Sequence, residues 1–508
     1  MHREVAERNY ELEQLKCTVK TKVVRDHPLI NLEGGQGRAA GAFGAGNAAL
    51  MIDTQQYEQE QQYAAGEDDY EDGGITSKLK AIDPLADFAD MENPSNQDFE
   101  TWEAKKLTIF SMFKEITDSQ DIVLDDGKGK GNVTRPMRMG QGKSRLDQLE
   151  QQAKAGGAQQ TISAKEFTSQ LERLDKEMTK AWTREDKVSC IRIAIQCAKL
   201  LNDVASPLFY PQKFILLTDI LDNFGELVRG RMRKLTKEHS KGRLVITDEN
   251  EDQVDFSQIP DKVQEISRNW FIKCACIREV LPRIYLELAL VSVNKYMQMK
   301  VQQSDLVRLA KMIRGIAEPL CAAWTCAYLA RVGHAINPNA KDYLLLLVEY
   351  MFKLYNLVVE RGHHSLDTAQ YRSLFDPTVD WLIQCLAYQA DRQVFKDVWA
   401  VYSNHPKYPI FLKSIVKHFP SEIVSVAVTI LIMSVKDDYK DQVDDQLALV
   451  KELGLALLRC PPKKNQFKLD FINFGWERMG QTQNPDRYMD CSIVLIEFSI
   501  KSLNQGSV

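Results

Sequence analysis

Three groups of residues in this 508-residue chain have types that could do chemistry. Gly142-Lys143-Ser144 has the ending of a phosphate loop, His363-His364 offers imidazoles to a metal or a proton, and Asp219 with Asp222 offers two carboxylates. Spacing speaks against each. A phosphate loop needs a glycine five places before Gly142, so that backbone amides can curl around the phosphates. That place holds Met137, in a basic, Gly-rich stretch with no apolar strand before it. The same objection meets Gly127-Lys128-Gly129-Lys130-Gly131, and both read as linker. Adjacent histidines on a helix end point in different directions, and no other His or Cys lies at ligand spacing, so a capping or surface role is favoured. Asp219 and Asp222 fall on nearly one helix face among Phe214, Leu217, Leu221 and Phe224, which favours structural use over acid–base work. With no Ser/His/Asp or Cys/His arrangement to set beside them, the expectation is a chain that is not an enzyme, with no catalytic residue, no metal site and no cofactor.

The totals fit a helical interaction protein. The chain is 44% hydrophobic and 27% charged with a net charge of −5. A near-neutral balance disfavours a nucleic-acid partner, which would call for a basic face to replace phosphate counterions. The ten cysteines make no Cys-x-x-Cys and sit mostly in apolar helical patterns, where cysteine acts as a small hydrophobe. The charged start Met1-His2-Arg3-Glu4 is no signal peptide, so a cytoplasmic, reducing location is expected. The longest apolar run, Ile423 to Val435, is shorter than the roughly 20 residues that cross a bilayer. Any membrane contact would be peripheral.

The elements that must position any site begin near Ser163. Residues 1–162 read as a largely disordered tail: a Gly/Ala stretch (34–50), a Gln/Glu/Tyr stretch (55–62) and an acidic run (67–72) bury too little apolar surface to offset chain entropy. Three islands in it resemble docking segments: Cys17 to Ile30, Ile82-Asp83-Pro84-Leu85 with Phe88, and Phe99-Glu100-Thr101-Trp102 leading into a short helix. Ser163-Ala164-Lys165-Glu166 is a capping box, followed at helical spacing by Phe167, Leu171, Leu174, Met178 and Trp182. A second helix follows Thr183-Arg184-Glu185-Asp186, with Val188, Ile191, Ile195, Ala198 and Leu201 as its buried stripe. Such αα-hairpins continue through 163–508, with single helices expected over 280–298 and 421–436 and breaks at Pro211, 238–258, Asn337-Pro338-Asn339, Pro377, Pro461-Pro462 and Asn484-Pro485. No fixed period emerges, so the expected fold is all-α, an irregular HEAT-like α-solenoid.

Two segments carry more information. In Leu281-Pro282-Arg283-Ile284-Tyr285-Leu286-Glu287, Arg283 beside an exposed aromatic would anchor an interface. The competing reading, a Pro-started core helix with Arg283 on its solvated face, has more weight on these residues alone, because interface hot spots are few. In Met312 to Leu320 one helix stops and the next starts: Gly315 would permit close helix approach, Arg314 would bond carbonyls at the bend, and Pro319 would open the next helix.

Pro282-Arg283-Ile284-Tyr285-Leu286-Glu287 resembles the Pro-Arg-Leu-Tyr-Leu signature of the large α-solenoid subunits of retromer. Arg314-Gly315 with Pro319-Leu320, and Tyr210-Pro211 through Phe214, resemble two further landmarks of that family. The retriever branch, the vacuolar protein sorting 35-like subunits, is more similar still, through Ile195 to Leu201, Phe209 to Asp222, Met312 to Ile316, and Asn9-Tyr10, Cys17, His27-Pro28-Leu29 and Asp83-Pro84-Leu85 in the tail. The resemblance is strong over 165–335, patchy over 445–503 and in the tail, and weak between. It implies a scaffold subunit of a retriever/Commander-type complex, recruited from the cytoplasm to endosomes, that recycles membrane cargo to the cell surface. It implies that Pro282, Arg283, Tyr285 and Leu286 bind an arrestin-fold subunit, and that His27, Pro28 and Leu29 dock on a small phosphoesterase-fold subunit. Coiled-coil and COMM-domain proteins and a cargo adaptor of the sorting nexin type would be further partners. Family members are much longer, so a C-terminal truncation with an uncovered apolar face at the last helices is expected. An unrelated HEAT-type interaction platform in the cytosol is the alternative.

Overall fold

The computed structural model describes residues 99–118, 121–124, 160–247, 250, 254–297, 303–362, 366–440 and 442–503. All belong to one compact unit, Ala81–Val508. His27, Pro28 and Leu29, the Asp83-Pro84-Leu85 island, Gly142-Lys143-Ser144 and His363-His364 lie outside the described residues.

The described chain is an all-α solenoid with one small exception. Helix α1 (Trp102–Asp118) is followed by β1 (Asp121–Leu124) and β2 (Gln160–Ser163), which pair antiparallel with Ile122 opposite Ile162. The array continues with α2 (Ala164–Thr183), α3 (Lys187–Leu200), α4 (Tyr210–His239), α5 (Asp261–Ala275), α6 (Val280–Ala289), α7 (Gln303–Ile313), α8 (Pro319–Ile336) and α9 (Asp342–Arg361). Then come α10 (Thr368–Ser373), α11 (Asp376–Ala387), α12 (Arg392–Ser403), α13 (Pro409–His418), α14 (Ser421–Val426), α15 (Val428–Asp438), α16 (Val443–Arg459), α17 (Asn465–Met479) and α18 (Pro485–Leu503). One layer stacks α8 on α11, α11 on α13, α13 on α16 and α16 on α18; α9 and α17 back this row. In the first half α3 packs between α2, α4 and α6.

Proline places several of these starts. Pro211, Pro319, Pro377 and Pro409 all sit in first turns, where a missing amide costs nothing. The α2–α3 turn closes as the hairpin pattern requires: Asp186 caps α3 by accepting from the Ser189 amide at 3.0 Å, and Glu185 adopts φ 62° to reverse the chain. The expected stripe on α3 is corrected. Cys190, Ala194, Cys197, Ala198 and Leu201 are buried, whereas Val188 is exposed and Ile191 and Ile195 only half-buried. The cause is crowding: three neighbouring helices close on α3, and its small side chains turn toward them.

Two long helices expected from the sequence are each divided. The segment 280–298 becomes α6 and a 3₁₀ turn, Val291–Met297. In a 3₁₀ helix positions i and i+3 eclipse, and Val293 and Tyr296 both reach the core that way. The segment 421–436 breaks at Ala427 into α14 and α15. Close helix approach falls at Gly225 on α4 rather than at Gly315. A Cβ at Gly225 would lie 2.1 Å from the carbonyl oxygen of Ala289, so α6 packs directly on the α4 backbone, whereas Gly315 meets nothing nearer than 3.2 Å, an oxygen of its own turn. Arg314 is exposed and donates to no carbonyl.

Seven cysteines, Cys190, Cys197, Cys274, Cys321, Cys326, Cys385 and Cys491, are buried as free thiols, in keeping with their reading as small hydrophobes. Burial pushes the Cys197 and Cys274 thiols up to about 12. Among the described residues no helix is long and apolar enough to cross a membrane. Toward the end of the array, Leu469 and Trp476 on α17 and Met489, Ile493, Ile496 and Ile500 on α18 are exposed. On α18 these residues recur at helical spacing, opposite the buried Cys491, Leu495 and Phe498.

Candidate docking surfaces

Helix α6 sinks most of its signature into the core. Pro282, Ile284, Tyr285 and Leu286 are buried, Tyr285 completely. The Tyr285 hydroxyl lies 3.2 Å from the Thr325 hydroxyl on α8, and its ring stacks on Tyr328 with centroids 5.0 Å apart. The exposed aromatic expected beside Arg283 is therefore a core side chain. The reason is periodicity: on a helix braced by α3 and α4, positions 281, 284, 285 and 288 share the inward face. Arg283 alone of Pro282, Arg283, Tyr285 and Leu286 reaches the surface, with its side chain 35% exposed.

Arg283 does not stand free. Its Nε donates to Glu287 Oε1 at 2.8 Å, one turn along α6. Arg308 on α7 donates to Glu287 Oε2 at 2.7 Å. Glu287 is only 10% exposed, and two guanidinium partners offset the desolvation of its carboxylate. Sequence reading missed Arg308 and the brace at Glu287; the i, i+4 spacing of Arg283 and Glu287 was the available signal.

The landmark residues hold the frame behind this helix. Tyr210 is buried at the start of α4 and donates to the Leu201 carbonyl at 2.8 Å. Pro211 beside it is buried. Lys213 bonds the Asp203 carbonyl and carboxylate at 2.7 and 2.9 Å, tying the α3–α4 loop to α4. Pro319 opens α8 with Leu320 buried, while Arg314 and Gly315 lie in the exposed turn before it.

A second surface carries the Phe99–Trp102 island. Thr101 caps α1, and this 17-residue helix is packed rather than loose: Ile109 and Phe113 join the core. The helix expected after this island is thus present, and it runs to Asp118. Phe99 stacks on His334 with centroids 4.6 Å apart and meets Trp381 and Tyr388 edge-on. The Arg331 guanidinium sits 5.2 Å from the Trp102 ring and 4.7 Å from the Tyr328 ring while bonding Asp222 at 2.6 Å. Lys106 pairs with Asp219 at 2.7 Å. The two carboxylates weighed for acid–base work are thus both ion-paired in the seating of α1.

Asp380 on α11 is the charge centre of this seat. It bonds Lys105 of α1, Lys417 at 3.0 Å and His418 Nε2 at 2.7 Å. Burial works to raise its pKa, but the hydrogen bond and charge of His418, with Lys105 and Lys417, hold the carboxyl well below the usual carboxylate range. Burial pushes His334 down to about 4, helped by Lys341. Nothing in the sequence marked Asp380, since its partners come from positions 105, 417 and 418. Among the described residues no group of three or more His, Cys, Asp and Glu is placed to hold a metal ion.

This fold and signature agree with the comparisons to known proteins. The VPS35L family model matches residues 101–374, and the model of the VPS35L C-terminal domain matches residues 390–508. Proteins named VPS35 endosomal protein-sorting factor-like are similar to the chain. The Danio rerio protein is 30% identical over 85% of this chain and 47% of its own length, and the Homo sapiens protein 29% identical over the same shares. The Dictyostelium discoideum protein is 30% identical over 80% of this chain and 41% of its own length. The chain spans about half the length of the curated relatives it matches. Two family models that together cover most of the solenoid, with α6 and its buried signature inside the first, place this chain in the VPS35L family.

Proposed function

We propose that this chain is the scaffold subunit of a retriever/Commander-type endosomal sorting complex, supporting recycling of membrane cargo from endosomes to the plasma membrane. It works without catalysis or a cofactor, as a surface on which other subunits assemble. It is cytoplasmic and recruited to endosomes, touching membranes only peripherally. The observation that carries this reading is the single exposed residue of a buried signature. Arg283 projects from α6 while Pro282, Tyr285 and Leu286 fix the helix beneath it. A rigid element with one charged side chain outward suits a docking point.

The partner at Arg283 is an arrestin-fold subunit. His27, Pro28 and Leu29 dock on a small phosphoesterase-fold subunit, and coiled-coil proteins, COMM-domain proteins and a sorting nexin adaptor complete the assembly. The test is recovery from cell extract, read by mass spectrometry, with the full chain and Arg283→Glu side by side. Recovery of an arrestin-fold subunit by the wild type alone is expected. Equal recovery by both would remove the assignment of α6.

A further inference from the structure

We infer that segment 99–118 is a separable plug, and that the seat beneath it on α4, α8 and α11 is a peptide-binding groove. The groove takes a short helix with two aromatic residues three apart and a lysine pair one turn later. The chain closes it with its own Phe99, Trp102, Lys105 and Lys106. The segment is held as a docked peptide is. Phe99 stands ahead of the helix, its ring clasped by His334, Trp381 and Tyr388. Gln384 Nε2 donates to the Glu100 carbonyl at 3.0 Å, so a side chain of α11 grips the non-helical backbone before α1. Trp102 meets Trp381 edge-on with centroids 4.9 Å apart, and Lys105 reaches Asp380. Aromatic anchors flanked by charge pairs are the usual fastening of an interface rather than of a core.

Burial along α1 is confined to one stripe. Lys105, Ile109 and Phe113 are buried and Trp102 is half-buried, while Leu107 on the far side is 72% exposed. The array beneath closes on its own contacts: α8 packs on α9 and α11, and α11 on α9 and α13. The seat also carries unmet hydrogen-bonding groups. Trp102 Nε1, Trp381 Nε1, His334 Nδ1 and Gln384 Oε1 are buried with no partner among the described residues. Each of these atoms is desolvated when the segment docks and regains water when it leaves, which offsets part of the stacking. A seat balanced in this way holds a tethered segment and still allows exchange. Charge sets what else fits. Asp219, Asp222 and Asp380 lie at the seat; Arg331 covers Asp222, and Lys106 and Lys105 answer the other two from the plug. Asp380 keeps Lys417 and His418 when α1 lifts, whereas Asp219 loses its ion-pair partner. Aromatic rings beside an uncovered carboxylate favour a helix that brings its own aromatic and basic side chains.

The experiment follows the fluorescence anisotropy of a labelled peptide of residues 99–118 as the full chain is added, wild type beside the double variant Phe99→Ala, Trp102→Ala. The double variant leaves its seat empty and should bind the peptide with about tenfold or higher affinity than the wild type, whose tethered segment competes at high local concentration. The same peptide carrying Lys105→Glu and Lys106→Glu should bind the double variant about tenfold or more weakly. Equal binding by the wild type and a folded double variant, or binding by neither, would overturn the groove. Hydrogen exchange of the wild type tests separability without any substitution. In low denaturant the amides of 102–118 should exchange about tenfold or more faster than those of α8 and α11. Loss of protection in α1, α8 and α11 together, or collapse of the whole fold in the double variant, would make α1 part of the core and remove the plug.

Discussion

Helices α6 and α1 meet the core from opposite sides of the same problem. Helix α6 sends its conspicuous letters, Pro282, Tyr285 and Leu286, inward and leaves Arg283 as the residue of that signature at the surface. Helix α1 and the residues just before it bring Phe99, Trp102 and Lys105 onto a bed built by α4, α8, α11 and α13, with contacts that are aromatic stacks and ion pairs. A motif that is easy to recognise can be mostly packing, while a segment that reads as loose tail can be seated by charges no motif announces.

The widest gap should separate Tyr285 from its neighbour. Tyr285→Ala removes a fully buried ring and is expected to cost about 3–5 kcal/mol, whereas Arg283→Ala, which leaves Arg308 on Glu287, should cost about 1–2 kcal/mol. Chemical denaturation of both variants checks this, and similar losses would mean that Arg283 is itself a packing residue. Next in size is Gly225→Ala, which pushes a methyl into the Ala289 carbonyl and should cost about 1–3 kcal/mol. Its effect should spread to α6, seen as faster hydrogen exchange there than in α16.

Trp102→Ala should cost about 2 kcal/mol, mostly by loosening α1. Hydrogen exchange should rise across 102–118 while α8 and α11 keep their protection; loss of protection in all three would make α1 part of a single cooperative unit.

A smaller effect follows from pH. His334 is held neutral, its pKa pushed down from 6.5 to about 4, so the unfolded chain takes up a proton that the folded chain refuses. Stability should therefore fall as pH drops from about 6.5 toward 4. Asp380, also depressed, adds to the loss once pH falls below the ordinary carboxylate range. His334→Phe keeps the ring on Phe99 and should flatten the melting temperature between pH 6.5 and 5. An unchanged slope would locate the titration elsewhere. The smallest expected change is Glu185→Gly, which relieves φ 62° but gives up an exposed pair with Arg231. Thermal melts should show little or no shift in either direction.

What the sequence revealed follows the reach of each interaction. Proline starts, the Asp186 cap and the apolar spacing of α2 are set within a few residues, and they were legible. The face of α3 was not, because which of Val188 and Cys190 turns inward depends on three helices that crowd it. Likewise Arg283 was legible as a candidate, yet the burial of Tyr285 depends on Thr325 and Tyr328 of α8. Asp380 was invisible because its partners are far apart in the chain. The division of 280–298 came from the need to bury Val293 and Tyr296 together, a demand of the tertiary core rather than of local propensity.

The central claim is that α6 is a packed base with one outward docking residue. Calorimetric titration of the arrestin-fold subunit into wild type and Arg283→Glu, at matched helicity and melting temperature, tests it most directly. The account predicts binding by the wild type and none by the variant. Equal affinity for two equally folded proteins would contradict it.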